Sequence, residues 1–159
     1  MSMWNASQGK AVRDCTLGLR VDKTAISVAD IDLFTVVGEV LITLLYGVVT
    51  GVGDGGATTI LLNEKASSIP LCAATTVTSD AVGEVYVVCG DPALVLNGAQ
   101  VPVLKLAGFL SAAPYGPIIF DGQTGLIIEL TQTGADATHA VAWHLFYIPL
   151  EEGAYVAAA

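Results

Sequence analysis

The sequence predicts an all-β protein: a single-domain antiparallel β-sandwich or barrel-like fold preceded by an extended N-terminal arm. Three observations carry that expectation. From about Thr24 the chain breaks into short apolar runs separated by Gly, Asn, Asp and Pro, the pattern of many short strands joined by turns. β-Branched residues crowd even the longest apolar stretch. Asn-Gly and Asp-Gly pairs sit between apolar runs, where they supply the positive φ angles of hairpin turns. The expected organisation is an arm over 1–23, a β domain over 24–153 and a C-terminal tail over 154–159.

The arm is polar, mixed and aperiodic. It holds four of the six basic residues, Lys10, Arg13, Arg20 and Lys23, beside only Asp14 and Asp22. Beyond it stand 2 basic residues against 13 acidic ones. A weakly basic arm on a strongly acidic body suits self-association or docking on an acidic neighbour, though a solvated leader tolerates the same charges. Residues 30–50 contain a helical face (Val37, Val40, Leu41, Leu44, Leu45) with Asp30 as a cap. The many Val, Ile and Thr there, stiff at χ1, favour strands instead, and two strands broken near Gly38 are expected. Asn97-Gly98 and Asp121-Gly122 mark hairpin turns. In 126–130, Leu126, Ile128 and Leu130 share one face and Glu129 takes the other. In 139–148, Val141, Trp143, Leu145 and Tyr147 alternate with Ala140, Ala142, His144, Phe146 and Ile148. Both faces are apolar, so this strand should be covered by the core on one side and a neighbour on the other. Pro149 should end it.

Composition narrows the function. Of 159 residues, 53% are hydrophobic and 13% charged, about half the usual charge of roughly 25%. Disorder is excluded, since it requires few apolar residues and much charge. A net charge of −9 argues against a nucleic-acid binder, which must neutralise phosphates. So few charges cannot dress a surface that normally carries them on about 25–35% of its positions. The chain is therefore expected to be an oligomer or part of a larger assembly. The apolar stretch from Val40 to Gly53 is shorter than the ~20 residues of a membrane helix, and the first residues lack the apolar core of a signal peptide. Asn5-Ala6-Ser7 matches a glycosylation sequon by chance. Cys15, Cys72 and Cys89 form neither CxxC nor zinc spacing, which points to reduced thiols in a cytosolic assembly compartment. Cys72 and Cys89 fall on neighbouring strands, and sequence leaves their pairing open.

Chemistry is sparse. His139 and His144, five apart on one strand, face opposite ways and cannot share a metal; the first is expected in solvent, the second packed under a neighbour. Asp30 and Asp32 share a face, but paired carboxylates need a cleft to divide acid from base roles, and both are expected to be solvated. Glu151 and Glu152 are expected in an exposed tail. Gly53-Asp54-Gly55-Gly56 lacks the lysine of a phosphate loop and the oxygen ligands of a calcium site, so it reads as a connecting loop. No serine lies in a Gly-x-Ser-x-Gly elbow. No enzyme, cofactor or metal is implied. Trp143 belongs to the core, whereas Trp4, on the arm, could anchor in a partner's pocket.

The stretches Leu33–Gly47, Thr75–Val88 and Ala140–Gly153, taken in order, resemble the decoration or cement proteins of tailed-bacteriophage capsids. The resemblance implies a β-rich homotrimer, assembled in the host cytoplasm and bound to the outer surface of the virion head. Its partner would be the major capsid protein, met by Trp4, Lys10, Arg13, Arg20 and Lys23, with the arm adding a strand to that protein's sheet. Binding the expanded shell and not its precursor would stabilise the mature head by mass action. A tail-tube, connector or fibre component shares the same character. A free-standing ligand-binding β domain is the other alternative.

Overall fold

The computed structural model describes residues 6–88 and 118–159. The fold is all-β; among the described residues every strand pairing is antiparallel and there is one short helix. Helix α1 covers Ala6–Thr16. The strands are β1 (Leu19–Ile26), β2 (Ile31–Gly51), β3 (Thr59–Glu64), β4 (Ile69–Pro70), β5 (Thr75–Thr76), β6 (Val85–Val88), β7 (Ile118–Thr133), β8 (Ala140–Pro149) and β9 (Tyr155–Ala158). They form one sheet in the order β1-β8-β2-β7-β3-β4; β5 pairs with β3, and β6 and β9 pair with β2. The sheet does not close on itself.

Strand β2 organises everything else. Along one edge it pairs with β7 over Ile31–Ile42 and then with β6 over Leu45–Val48. Along the other it pairs with β9 over Phe34–Val37 and then with β8 over Val40–Gly51. A strand of 21 residues needs irregularities to bend around a core, and β2 has them. Between Ile42 and Leu44 the register to β8 shifts by one. Thr43 is the extra residue, and its hydroxyl donates to the carbonyl of Leu17 (2.5 Å), with that of Phe146 at 3.3 Å. The shift exchanges inward parity: Phe34, Val36, Val40 and Ile42 point in before it, Leu45 and Val49 after it. Without the bulge, the second half would turn Leu44, Tyr46 and Val48 to the core and Leu45 and Val49 outward. The inward residues of both halves meet in a single buried cluster with Ile60, Leu62, Ile128, Leu130, Val141, Trp143 and Leu145.

Several expectations are corrected here. Of the expected arm over 1–23, residues 6–23 are not extended and free: α1 occupies Ala6–Thr16, and Leu19 onward lies in the sheet, paired residue by residue with β8. The lysine–aspartate pair Lys10–Asp14, one helical turn apart, supports the helix. Residues 154–159 are not a tail, because β9 pairs with β2. Gly38 does not break β2 into two strands. It adopts φ +72 at a register shift, where the strand bends but continues. Asp121-Gly122 is not a hairpin turn either. β7 runs straight through, with Asp121 opposite Glu39 and Gly122 opposite Gly38, and extra residues are expelled before Leu126 rejoins at Val36. The Asn97-Gly98 turn lies outside the described residues. Pro149 does end β8, Trp143 is fully buried, and Ile128 and Leu130 are core residues opposite Glu129, as expected.

Gly47 shows how tightly the second half of β2 is packed. It lies between Trp143 on β8 and Tyr86 on β6, directly in register with both. Because Gly47 has no side chain, the two rings lean over it and stack with centroids 6.2 Å apart. A Cβ there would sit 2.6 Å from Val141 and 2.8 Å from the Trp143 ring. Gly47→Ala is therefore expected to destabilise the fold by about 1–3 kcal/mol through overpacking, read as a lower urea midpoint with an unchanged slope. An unaltered midpoint would mean that the rings do not close over this strand.

Candidate functional site

The described chemistry gathers at one end of the sheet. There the chain leaves β1 at Ile26, leaves β2 at Gly51, enters β6 at Val85 and enters β8 at Ala140. Four connecting segments meet, and buried polar groups join them. Ser27, Asp80, Glu84, Asp136 and His139 are all buried, Ser27, Asp136 and His139 with no accessible surface. Buried polar groups cost free energy unless bonded, so this cluster holds only if its bonds are made.

Asp136 anchors it. One carboxylate oxygen accepts from the N–H groups of Thr138 and His139 and from the Thr138 hydroxyl, each at 2.8 Å. The other accepts from the Asp54 N–H at 2.8 Å, drawing the Gly53–Gly56 loop onto the start of β8. Burial opposes the charge, but the donors of Asp54, His139 and Thr138 outweigh it and hold the carboxyl at about 2. Ser27 is tied twice through its backbone: its N–H donates to the His139 carbonyl (2.9 Å), and its carbonyl accepts from the Asp136 N–H (2.7 Å).

A side-chain chain runs through the middle. The Tyr86 hydroxyl donates to Asp80. With that proton directed at Asp80, the phenol oxygen has lone pairs left for His139 Nε2, 3.2 Å away. Nε2 therefore carries the imidazole proton. Nδ1 is bare and accepts from the Ser27 hydroxyl at 2.7 Å. Burial pushes the His139 pKa down, against the pull of Asp80 and Asp136. Burial, then Asp80, pushes the Tyr86 phenol up. A serine hydroxyl bonded to a neutral imidazole is the geometry of an activated nucleophile. Here Ser27 Oγ is sealed beneath the loops, and no substrate atom reaches it unless they open.

Sequence reasoning placed His139 in solvent; it is fully buried, because it stands one residue before β8 under the closing loops. The sequence alone assigns no site role to Ser27, Asp80, Tyr86 or Asp136. A local signal was present: Asp136, followed two and three residues later by Thr138 and His139, is a side-chain-to-backbone turn immediately before a strand. The opposed faces of His139 and His144 hold. His144 packs against the Tyr46 ring, centroids 4.8 Å apart, with Nδ1 2.7 Å from Asp22.

The expected docking residues are not brought together. Lys10 and Arg13 both pair with Asp14 on α1. Arg20 pairs with Asp22 at 2.7 Å and lies over the Phe146 ring, 5.7 Å from its centroid. Lys23, on the opposite face of β1, donates to the main-chain oxygen of Ala159. Such exposed pairs are worth about 0–1 kcal/mol and exchange readily for a partner's groups. Trp4 lies outside the described residues. Asp32 is held by Lys65 at 2.6 Å, and Asp30 accepts from the Gln132 N–H. Glu151, expected free in a tail, accepts from the Glu39 N–H at 2.9 Å. Cys72 is buried with its sulfur against the Leu62 backbone; Cys89 lies outside the described residues. A shallow groove of about 390 Å³ runs between the start of β7 and the β3–β4 turn, lined by Ile69, Leu71, Ile118 and Phe120.

Comparison with protein-family models, curated proteins and solved structures finds no match to this chain. The site must speak through its own chemistry.

Replacing Asp136 by Asn keeps its size but removes the charge that four donors address. Asp136→Asn is expected to cost about 2–3 kcal/mol at neutral pH, the scale of hydrogen bonds to a charged group. Because the folded-state pKa is depressed, the wild-type contribution is full above the ordinary carboxylate value of about 3.8 and is lost as pH falls towards about 2. Denaturant melts at pH values across that window should show a slope that the variant lacks. Equal slopes would remove Asp136 from the acid response.

Proposed function

We propose that this chain is a structural virion protein: a decoration or cement protein that binds the outside of a mature tailed-phage head and bridges capsomers as a trimer. The observation that carries the reading is the outer face of the β1–β8–β2–β6 half of the sheet. Leu44, Tyr46 and Val48 on β2, Val85 on β6 and Ala140 and Ala142 on β8 all point outward and are half-buried. Phe146 lies among them, covered by the Arg20 guanidinium. At the margins Ile26 and Ile148 are exposed. Arg20, Asp22 and His144 form a polar border along β1, and the apolar area between β8 and β6 suits cover by another subunit better than open water. The low overall charge and the ordered resemblance of three segments to cement proteins support the same reading.

On this account three copies bury their apolar sheet faces and present three equivalent contacts to the shell. Each contact need only be weak, because linkage within one trimer makes the second and third intramolecular. A surface that fits the expanded shell and not its precursor stabilises the expanded state by its differential affinity. The docking role of the basic residues changes in form. Lys10 and Arg13 are carried on a helix, and Arg20 and Lys23 on β1, the end strand of the described sheet.

Val48→Glu places a charge at the centre of the outer face without touching the core. The wild-type chain should sediment as a trimer and the variant as a monomer with an unchanged circular dichroism spectrum. Quantitative mass spectrometry of particles should find the wild-type chain in hundreds of copies, as about one per shell subunit requires. A wild-type monomer, or absence from particles, overturns the proposal; a handful of copies moves the protein to the neck or tail.

A further inference from the structure

We propose that the Ser27–His139–Tyr86–Asp80 chain is an acid-operated latch: uptake of one proton by His139 releases the loops that this end of the sheet holds together. The inference is independent of the virion reading. It rests on how completely the imidazole is committed. Nε2 already carries its proton and gives it to Tyr86, whose own proton is given to Asp80. A second proton has only Nδ1 to go to. There it displaces the Ser27 hydrogen from its acceptor, and Ser27 has no accessible surface through which water could replace the bond.

The surrounding groups do not readily absorb the new charge. From the segment before β6, Asp80 faces the ring, but its carboxylate is engaged by Tyr86. Glu84, in the same segment, acts on Tyr86. From the segment before β8, Asp136 faces the ring with both oxygens filled by backbone N–H groups and the Thr138 hydroxyl. From the β1–β2 turn, Ser27 offers only its hydroxyl. Burial outweighs the two carboxylates, so the native ring resists protonation at pH values where an exposed histidine accepts it. The sign follows. Stability from the neutral ring is full above the unfolded value of about 6.5 and declines as pH falls below it, with up to a tenfold gain in the opened form per pH unit.

What opens is local. The latch fastens Ser27 to His139 and Asp136, and Gly53 to Asp80, through backbone bonds, and the Asp54 N–H to the Asp136 carboxylate. Leu62 and Leu130, in register with each other in the β3–β7 ladder, share none of these bonds. Segments around Ser27, Gly53–Gly56, Val77–Glu84 and Gly134–Thr138 are therefore expected to separate while the apolar core persists.

Amide hydrogen exchange of the full chain at about pH 7.5 and about pH 5.5, corrected for intrinsic rates, tests this. The amides of Ser27, Gly53, Asp136 and His139 should open roughly tenfold more at the lower pH, while those of Leu62 and Leu130 do not change. His144→Gln should keep the response. His139→Gln should abolish the pH dependence, whatever its overall stability. Unchanged protection, an equal loss across the whole sheet, or a response surviving in His139→Gln overturns the latch. If His139→Gln does not fold, the wild-type comparison of the two sets of amides decides alone.

Discussion

The fold depends on one strand being hydrogen-bonded along both edges for nearly all of its length. β2 is flanked by β7 then β6 on one side and by β9 then β8 on the other. Its partners come from far along the chain, so the ladder can form only after large loops close. In return, β2 has a paired strand on both sides over Phe34–Val36, Val40–Ile42 and Leu45–Val48, so little of it presents the unpaired backbone groups that invite aggregation. The bulges at Val36–Gly38 and at Thr43 let so long a strand follow a curved core. The second bulge also keeps apolar side chains inward on both sides of the bend.

How much of this was legible in the sequence can be argued residue by residue. Strand character was legible, because alternation along 126–130 and 140–148 is written in side-chain order. The places where regular pairing fails were legible too: Gly38 and Asp121-Gly122 are sites of special backbone geometry. Their consequence was not. A glycine pair signals that the chain can bend, but only the partner strand decides between a hairpin and a bulge. Gly38 and Gly122 face one another, and the sheet runs on past both. The misread ends have a similar cause. Leu19–Lys23 and Tyr155–Ala158 carry mixed, short patterns, and they become strands because β8 and β2 offer edges to pair with.

The candidate site was largely illegible. Ser27, Asp80, Tyr86, Asp136 and His139 are spread over more than a hundred positions and converge only because four strands end together. The buried clamp and the apolar outer face belong to the same half of the sheet. The clamp fixes the ends of β1, β2, β6 and β8, and the last three carry Tyr46, Val48, Val85 and Phe146 on their outer side. Polar bonds at the end of the sheet thus hold in place the surface with which the chain is proposed to meet its neighbours.

The central physical claim is that β2 acts as one continuous, cooperatively held strand despite its bulges. Native-state hydrogen exchange along β2 in increasing denaturant tests it directly. Amides on either side of Thr43, such as those of Val40 and Leu45, should converge on a single opening reaction at the global unfolding free energy. Separate opening of the β7–β9 half and the β6–β8 half, with distinct denaturant slopes, would contradict the account and divide the sheet into two independent units at Thr43.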